Sequence, residues 1–460
     1  MAASVGHDDY ALARVPAAAR YAWPSVATQR FGQLSALSQF LLGATLGFGM
    51  PFWQAFLAFT LGAVVLELVA VVVGVIGQRE GLSTSMLARW TGFGQGGAAV
   101  LGLAIGLSAT GWFGVQSAIA GKGLATLVGG LSVWGWSLVF GLVVTLIVTY
   151  GFRWMAWTAY LTVPAFLLLA GWSVVTELSR HHLGDLLTDA PPGPRLSLLA
   201  ATTLVAGQFM VGAVISPDMT RFNRSAGDVL KQTAVGITLG EWVIGSVGVL
   251  LAHAVHSNDV VAIVTSSTGW LGTLVIVTAA LKINDWNLYV SSLGLTNFLH
   301  AVFGRRPHRG LVTISIGVVG SLLGAAGILS HYTGFLQLLG VVFPPIPGIM
   351  AAEYFVVRRW RAELTSARPG LPPRAPVWVP ATLGVWLAAA LLGKFVAVGL
   401  PSINALLAAF LLYVLAGRAG LLYPVGRVHT GRDGAVAADP VASSAALGDA
   451  AAVDPAHPLR

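Results

Sequence analysis

Ser108, Trp112 and Gln116 stand four residues apart in "GLSATGWFGVQSAIAGKG", residues 106–123, a spacing that stacks them on one helical face. A tryptophan one turn from a glutamine offers a flat apolar plate beside a donor–acceptor pair. That combination grips a planar heterocycle by its face and its edge. The alternative is an interfacial Trp with a helix-packing Gln, but Trp112 falls in mid-segment, away from the interface where Trp collects. A second such pair occurs in "GQFMVGA", residues 207–213, where Gln208 precedes Phe209. The same frame appears as "SQFLLGA", residues 38–44, with Ser38 and Gln39. Glutamine in an apolar segment is costly unless bonded, so its recurrence points to helices that break and expose backbone groups for Gln to bond, or to a bound ligand.

A third group lies in "VTAALKINDWNLYVSSLGLTN", residues 277–297. Lys282 and Asp285, three apart, share a face; Asn284, Asn287 and Ser291 fall on another. Ionisable residues at such depth suggest function, so Lys282 and Asp285 are candidates for ion coupling and Asn284 for substrate contact. The alternative is a neutralised pair that holds helices together. Glu241 is a third coupling candidate, because desolvation favours a protonated carboxyl. Glu67 reads as a packing residue, Asp218 and Arg221 as a local charged pair, and Lys122 and Lys394 as snorkelling side chains.

These residues need helices to carry them, and the composition says of what kind. The 460-residue chain is 56% hydrophobic and 10% charged, against about 25% charged in soluble domains. It reads as an all-α polytopic membrane protein. Windows of about 20 apolar residues give about twelve spans: 32–53, 55–77, 98–127, 130–150, 155–176, 197–216, 232–254, 261–298, 311–330, 332–356, 376–397 and 400–417. The eighth is long enough to include a connecting segment, and the tenth reads as beginning near "FPPIPG", residues 343–348, a Pro/Gly interruption suited to a hinge or gate. With the N-terminus cytoplasmic, 21 of the 26 Lys and Arg fall inside, as the positive-inside rule requires. Both termini are therefore expected in the cytoplasm of a multi-pass protein of the plasma or inner membrane. The net charge of +8 reads as topology and attraction to the lipid bilayer, not as nucleic-acid binding. No cleavable signal peptide is apparent in residues 1–30.

The expected organisation is a cytoplasmic segment 1–30, a first half 31–177, an external loop 178–196, a second half 197–357, two further helices in 358–420, and a disordered cytoplasmic tail 421–460. The echo at 38–44 and 207–213 falls in the first span of each half, and the two spans run in opposite directions. That is the pattern of an inverted repeat, with its binding site near the midplane. No cofactor or metal site is expected: cysteine is absent, and no HExxH or GxSxG motif suggests an intramembrane enzyme.

The chain resembles the nucleobase:cation symporter-1 (purine/cytosine permease) family over residues 30–420. The resemblance rests on "GLSTSMLARWTGFG" at 81–94, "GWFGVQ" at 111–116, "PDMTRFNRSA" at 217–226, "NDWNLYVSSLG" at 284–294 and "PPIPGIMAAEY" at 344–354. It implies a leucine-transporter-like 5+5 inverted repeat plus two extra helices, working by alternating access. It also implies a planar heterocycle held between aromatics at Trp112 and Phe209, with Gln116 and Asn284 as contacts. Lys282 and Ile283 stand where sodium-coupled members carry hydroxyls, which makes protons the expected coupling cation rather than sodium. Ala279 and Gln208 replace an asparagine and a serine of cytosine-transporting members, so cytosine itself is not specified. The expected substrate is a nucleobase-like small molecule; a carrier of hydantoin, allantoin, a vitamin precursor or an amino acid on the same fold is the alternative.

Overall fold

The computed structural model describes residue 10, residues 12–150, residue 168, residues 171–172, 175–176, 179–305 and 307–429. Most of the expected fifth span, 155–176, and most of the tail fall outside the described residues. Each other window contains a helix.

The window 32–53 holds the end of α1 (Trp23–Leu34), which begins inside the segment expected to be cytoplasmic, and all of α2 (Leu37–Gly49); the two are parted at Ser35–Ala36. The Ser35 hydroxyl folds back onto the Phe31 carbonyl at 2.9 Å, and Ala36 is extended. This side-chain bond competes with the helical ladder. Pro51 then opens α3 (Phe52–Glu80), which Gly81 ends in the left-handed region at φ 64°, a common helix stop. There follow α4 (Gly94–Leu127) and α5 (Val133–Tyr150). The second half begins with α6 (Leu198–Val214), and Pro217 starts a separate turn, Pro217–Thr220. Next comes α7 (Ala226–Val255), which contains one π turn at Glu241–Gly245.

The eighth window resolves into a short helix, Val260–Thr268, and the long α8 (Trp270–Phe303), separated by Gly269 at φ 60°. Beyond α9 (Arg309–Ala325), the tenth window divides at Phe343–Pro344 into α10 (Tyr332–Val342) and α11 (Pro345–Ala351). The proline pair therefore interrupts this span in its middle. The eleventh window starts as a strand, β1 (Arg374–Trp378), before α12 (Pro380–Phe395). After α13 (Pro401–Arg418), β2 (Val425–His429) pairs antiparallel with β1. By length and composition, five helical stretches among the described residues can cross a membrane: Phe52–Glu80, Gly94–Leu127, Ala226–Val255, Ile328–Val357 and Pro401–Arg418.

Two seams position the polar residues. One packs α4 on α8, with Ser291 Oγ donating to the Gly106 carbonyl at 2.8 Å. The other packs the broken first span along α7. A Cβ on Gly43 would lie 2.3 Å from the Gly245 carbonyl oxygen, and one on Gly248 would lie 2.6 Å from the Phe40 carbonyl oxygen. Only glycine lets two backbones approach so closely, and such small-residue contacts drive helix association in lipid.

Candidate functional site

Trp112 is half-buried on α4 and meets α10 edge-on. Its ring lies 5.3 Å from Phe335 at 75° and 6.2 Å from Tyr332 at 71°. Both are favourable edge-to-face arrangements. Ser108 and Gln116, one turn to either side, are buried, and Gln116 Oε1 has no hydrogen-bond partner.

Phe209 is half-buried on α6, and the Arg30 guanidinium of α1 lies 6.0 Å from its ring centroid. Phe209 and Trp112 each pack on a common apolar cluster. The neighbouring Gln208 reaches across to α2, where its Nε2 donates to Ser38 Oγ at 3.2 Å. The Tyr332 hydroxyl donates to the Ser38 carbonyl at 3.3 Å. Gln208 Oε1 is buried without a partner. Ser38 thus joins α2, α6 and α10, and through Tyr332 reaches Trp112.

Gln39 points the other way. Its Nε2 donates to Glu241 Oε2 at 2.6 Å, with both side chains fully buried. The two copies of the repeated motif therefore have different partners. They also sit differently in their helices: Gln39 lies just after the break at Ser35–Ala36, whereas Gln208 lies two turns before the end of α6 at Val214.

On α8, Asn284 faces α4. Its Nδ2 donates to the Phe113 carbonyl and to Ser117 Oγ, both at 3.0 Å, and its Oδ1 accepts from Asn287 at 3.2 Å. In this arrangement Asn284 ties two helices together. Lys282 and Asp285 attract each other one turn apart; Asp285 is buried and Lys282 half-buried.

Other residues hold the frame. Asp218 accepts from the Thr84 amide at 2.9 Å and the Thr84 hydroxyl at 3.1 Å. Arg221 donates to the Asp218 carbonyl at 3.1 Å and to the Tyr10 carbonyl at 2.9 Å. Thr238 donates to Glu67, a packing role. Lys122 forms an ion pair with Asp259 at 2.7 Å.

The sequence reading missed Arg30, Tyr332 and Phe335. Arg30, fully buried, donates to the Gly212 carbonyl and to Ser216 Oγ, both at 3.0 Å, where α6 ends. In sequence Arg30 is one of the 21 basic residues on the cytoplasmic side, and nothing local marks it as buried. Tyr332 and Phe335 stand three apart, a spacing that puts two rings on one face. Among the described residues, no cluster of His, Cys, Asp and Glu fit for a metal ion is present.

Residues 22–369 match the family described as "Permease for cytosine/purines, uracil, thiamine, allantoin". Cytosine permease of Escherichia coli strain K12 is 28% identical over 336 residues, covering 71% of this chain and 76% of the relative. Hydantoin permease of Microbacterium maritypicum is 24% identical over 424 residues, covering 86% and 85%. In fold, the chain is similar to Mhp1 in its inward-facing conformation, with a TM-score of 0.73 at 19% identity over 93% of this chain and 100% of the other. Mhp1 in a closed conformation with bromovinylhydantoin bound, described as a nucleobase-cation-symport-1 family transporter, gives 0.68 over 96% and 100%.

Proposed function

The chain belongs to the family of permeases for cytosine/purines, uracil, thiamine and allantoin, an integral membrane transporter and not an enzyme, and on that premise we propose that it imports a nucleobase-like planar heterocycle. One observation carries the reading. Gln116 Oε1, one turn from Trp112, and Gln208 Oε1, next to Phe209, are both buried acceptors with no partner. A buried acceptor left unmade costs about 1–3 kcal/mol. Ring N–H groups of a nucleobase or hydantoin satisfy such acceptors while the ring faces lie on Trp112 and Phe209. Ser38 completes the polar wall on α2, whereas Gln39, expected to share it, is turned to Glu241; Asn284 enters the site by exchanging its bonds to Phe113 and Ser117.

Movement is by alternating access in a 5+5 inverted repeat, halves 31–177 and 197–357, with the helices of 358–420 outside it. The breaks at Ser35–Ala36, Ile215–Ser216 and Phe343–Pro344 are natural hinges. A cation gradient drives uptake, and protons suit the chain better than sodium, because Lys282 and Ile283 occupy positions where sodium-coupled members carry hydroxyls. Both termini face the cytoplasm in this reading, in the plasma or inner membrane.

Intrinsic tryptophan quenching of the purified protein tests the site. The panel is cytosine, uracil, adenine, hypoxanthine, hydantoin and allantoin, each in sodium and in choline. Saturable quenching by one heterocycle, lost in Trp112→Ala, is the expected result. No quenching across the panel sinks the reading and turns attention to amino acids or vitamin precursors on this scaffold.

A further inference from the structure

We infer that Glu241 carries the coupling proton, and that Gln39 reports its protonation state to the heterocycle site through Ser38 and Gln208. This rests on the reading that the heterocycle lies against Trp112 and Phe209.

Glu241 has 0% exposure, and among the described residues no basic side chain pairs with it. Its hydrogen-bond partner is the Gln39 amide at 2.6 Å. The nearby titratable groups do not neutralise it. Tyr332 on α10 faces it but gives its hydroxyl to the Ser38 carbonyl. Glu67 on α3 takes the Thr238 hydroxyl one turn earlier on α7. Arg30 on α1 packs its stem on Gly236 and turns Nη1 to the Gly212 carbonyl and Nη2 to Ser216, with its Nε left without a partner. An ionised carboxylate buried without a cation costs several kcal/mol, and such a group neutralises instead.

Bonding gives the same answer. Glu241 Oε1 and Gln39 Oε1 are both buried and both without a partner. As a carboxylate and an amide they are acceptors only at these atoms. One proton on Oε1 turns it into a donor, and an acid and an amide can then satisfy one another at two points.

Placement makes the proton useful. Glu241 opens the π turn of α7, a feature found mostly at functional sites. It sits on the glycine seam against α2, just after the break of the first span. Gln39 is next in sequence to Ser38, which Gln208 holds at 3.2 Å, and Gln208 is next to Phe209. A heterocycle whose ring carbonyl takes the Gln208 Nε2 donor replaces Ser38 there and frees the start of α2, which carries Gln39 and the protonated Glu241 it holds, so that both loads move together. When water then reaches the acid, its O–H bond breaks; the proton leaves to water and the electron pair remains on the carboxylate.

The test uses the full-length protein in proteoliposomes with the heterocycle that quenches its fluorescence. For one proton per substrate, a one-unit gradient, acid outside, drives about tenfold accumulation. Glu241→Gln should lose that accumulation while retaining heterocycle exchange at equal pH, with an affinity that no longer changes with pH. Accumulation in Glu241→Gln equal to wild type, or accumulation that follows sodium and ignores the pH gradient, overturns the inference. Should Glu241→Gln not fold, Gln39→Leu replaces it. That variant should shift the pH midpoint of substrate affinity, and an unshifted midpoint is contrary. A ligand-free measurement separates this inference from the substrate reading: at neutral pH the infrared spectrum should contain a protonated-carboxyl carbonyl band that Glu241→Gln lacks. If the band is missing from wild type, the inference fails whatever the substrate.

Discussion

Gln208 Nε2 lies 3.2 Å from Ser38 Oγ, joining the middle of α6 to the first turn of α2. The bond is half-buried and neutral, so each partner should contribute about 0.5–1.5 kcal/mol. Ser38→Ala and Gln208→Ala should each lower the thermal midpoint of the detergent-solubilised protein modestly. The double variant should lose little more than the worse single variant, since both remove the same contact. Additive losses would show that the two side chains act independently.

The contact also shows what could be read from residue types and what could not. Apolar windows located the helices, because length and hydropathy dictate spans irrespective of packing. Pro217 and the pair Pro344–Pro345 marked two interruptions, since proline lacks the donor a helix needs. The break at Ser35–Ala36 carries no such mark; it depends on a serine bonding its own preceding turn. The π turn at Glu241 is equally unmarked. Gln39 and Gln208 were legible as unusual, yet their partners, Glu241 and Ser38, lie 202 and 170 residues away in sequence. Such pairings follow from which helices the glycine seams bring together, and no local pattern encodes that. Lys122 is similar: a snorkelling side chain by position, it finds Asp259 across the fold.

Arg30 forks between the Gly212 carbonyl and Ser216 Oγ. A hydrogen bond to a charged group contributes about 1.5–3 kcal/mol, so Ser216→Ala should cost that much. Arg30→Lys should cost more, because an ammonium cannot reproduce the planar fork. Arg30→Met should cost most, stranding both acceptors and removing the cation beside Phe209. Thermal unfolding in detergent checks the order. Arg30→Met unfolding at the wild-type temperature would remove Arg30 from any role in holding the end of α6.

Gly43 tests the seam that carries Glu241. In Gly43→Ala the new methyl would stand 2.3 Å from the Gly245 oxygen and 2.9 Å from the Gly248 Cα. Both obstacles are backbone, so the helices must part, and overpacking of this kind costs about 1–3 kcal/mol or more. Gly102→Ala, whose methyl meets nothing within 4 Å, is the control and should leave the unfolding temperature unchanged. Equal behaviour of the two variants would contradict the close approach of α2 and α7.

Glu80, at the end of α3, gathers three donors at 2.6 Å: Arg14, Arg368 and the Tyr354 hydroxyl. The contacts bind residues 12–22 to the helix ends, together with Val15 N–H on the Gly81 carbonyl and Tyr21 N–H on the Phe222 carbonyl. The two arginines are not equivalent, for Arg14 is 8% exposed and Arg368 43%. Solvent screens the second, so Arg368→Ala should cost no more than about 1 kcal/mol. Glu80→Gln leaves the buried Arg14 charge without its counter-ion, a change that costs about 3–5 kcal/mol for a buried pair. Amide hydrogen exchange should therefore rise at Val15 and Tyr21 in Glu80→Gln and stay near wild type in Arg368→Ala. Equal exchange in both would mean that the strap is held by its backbone bonds and not by Glu80.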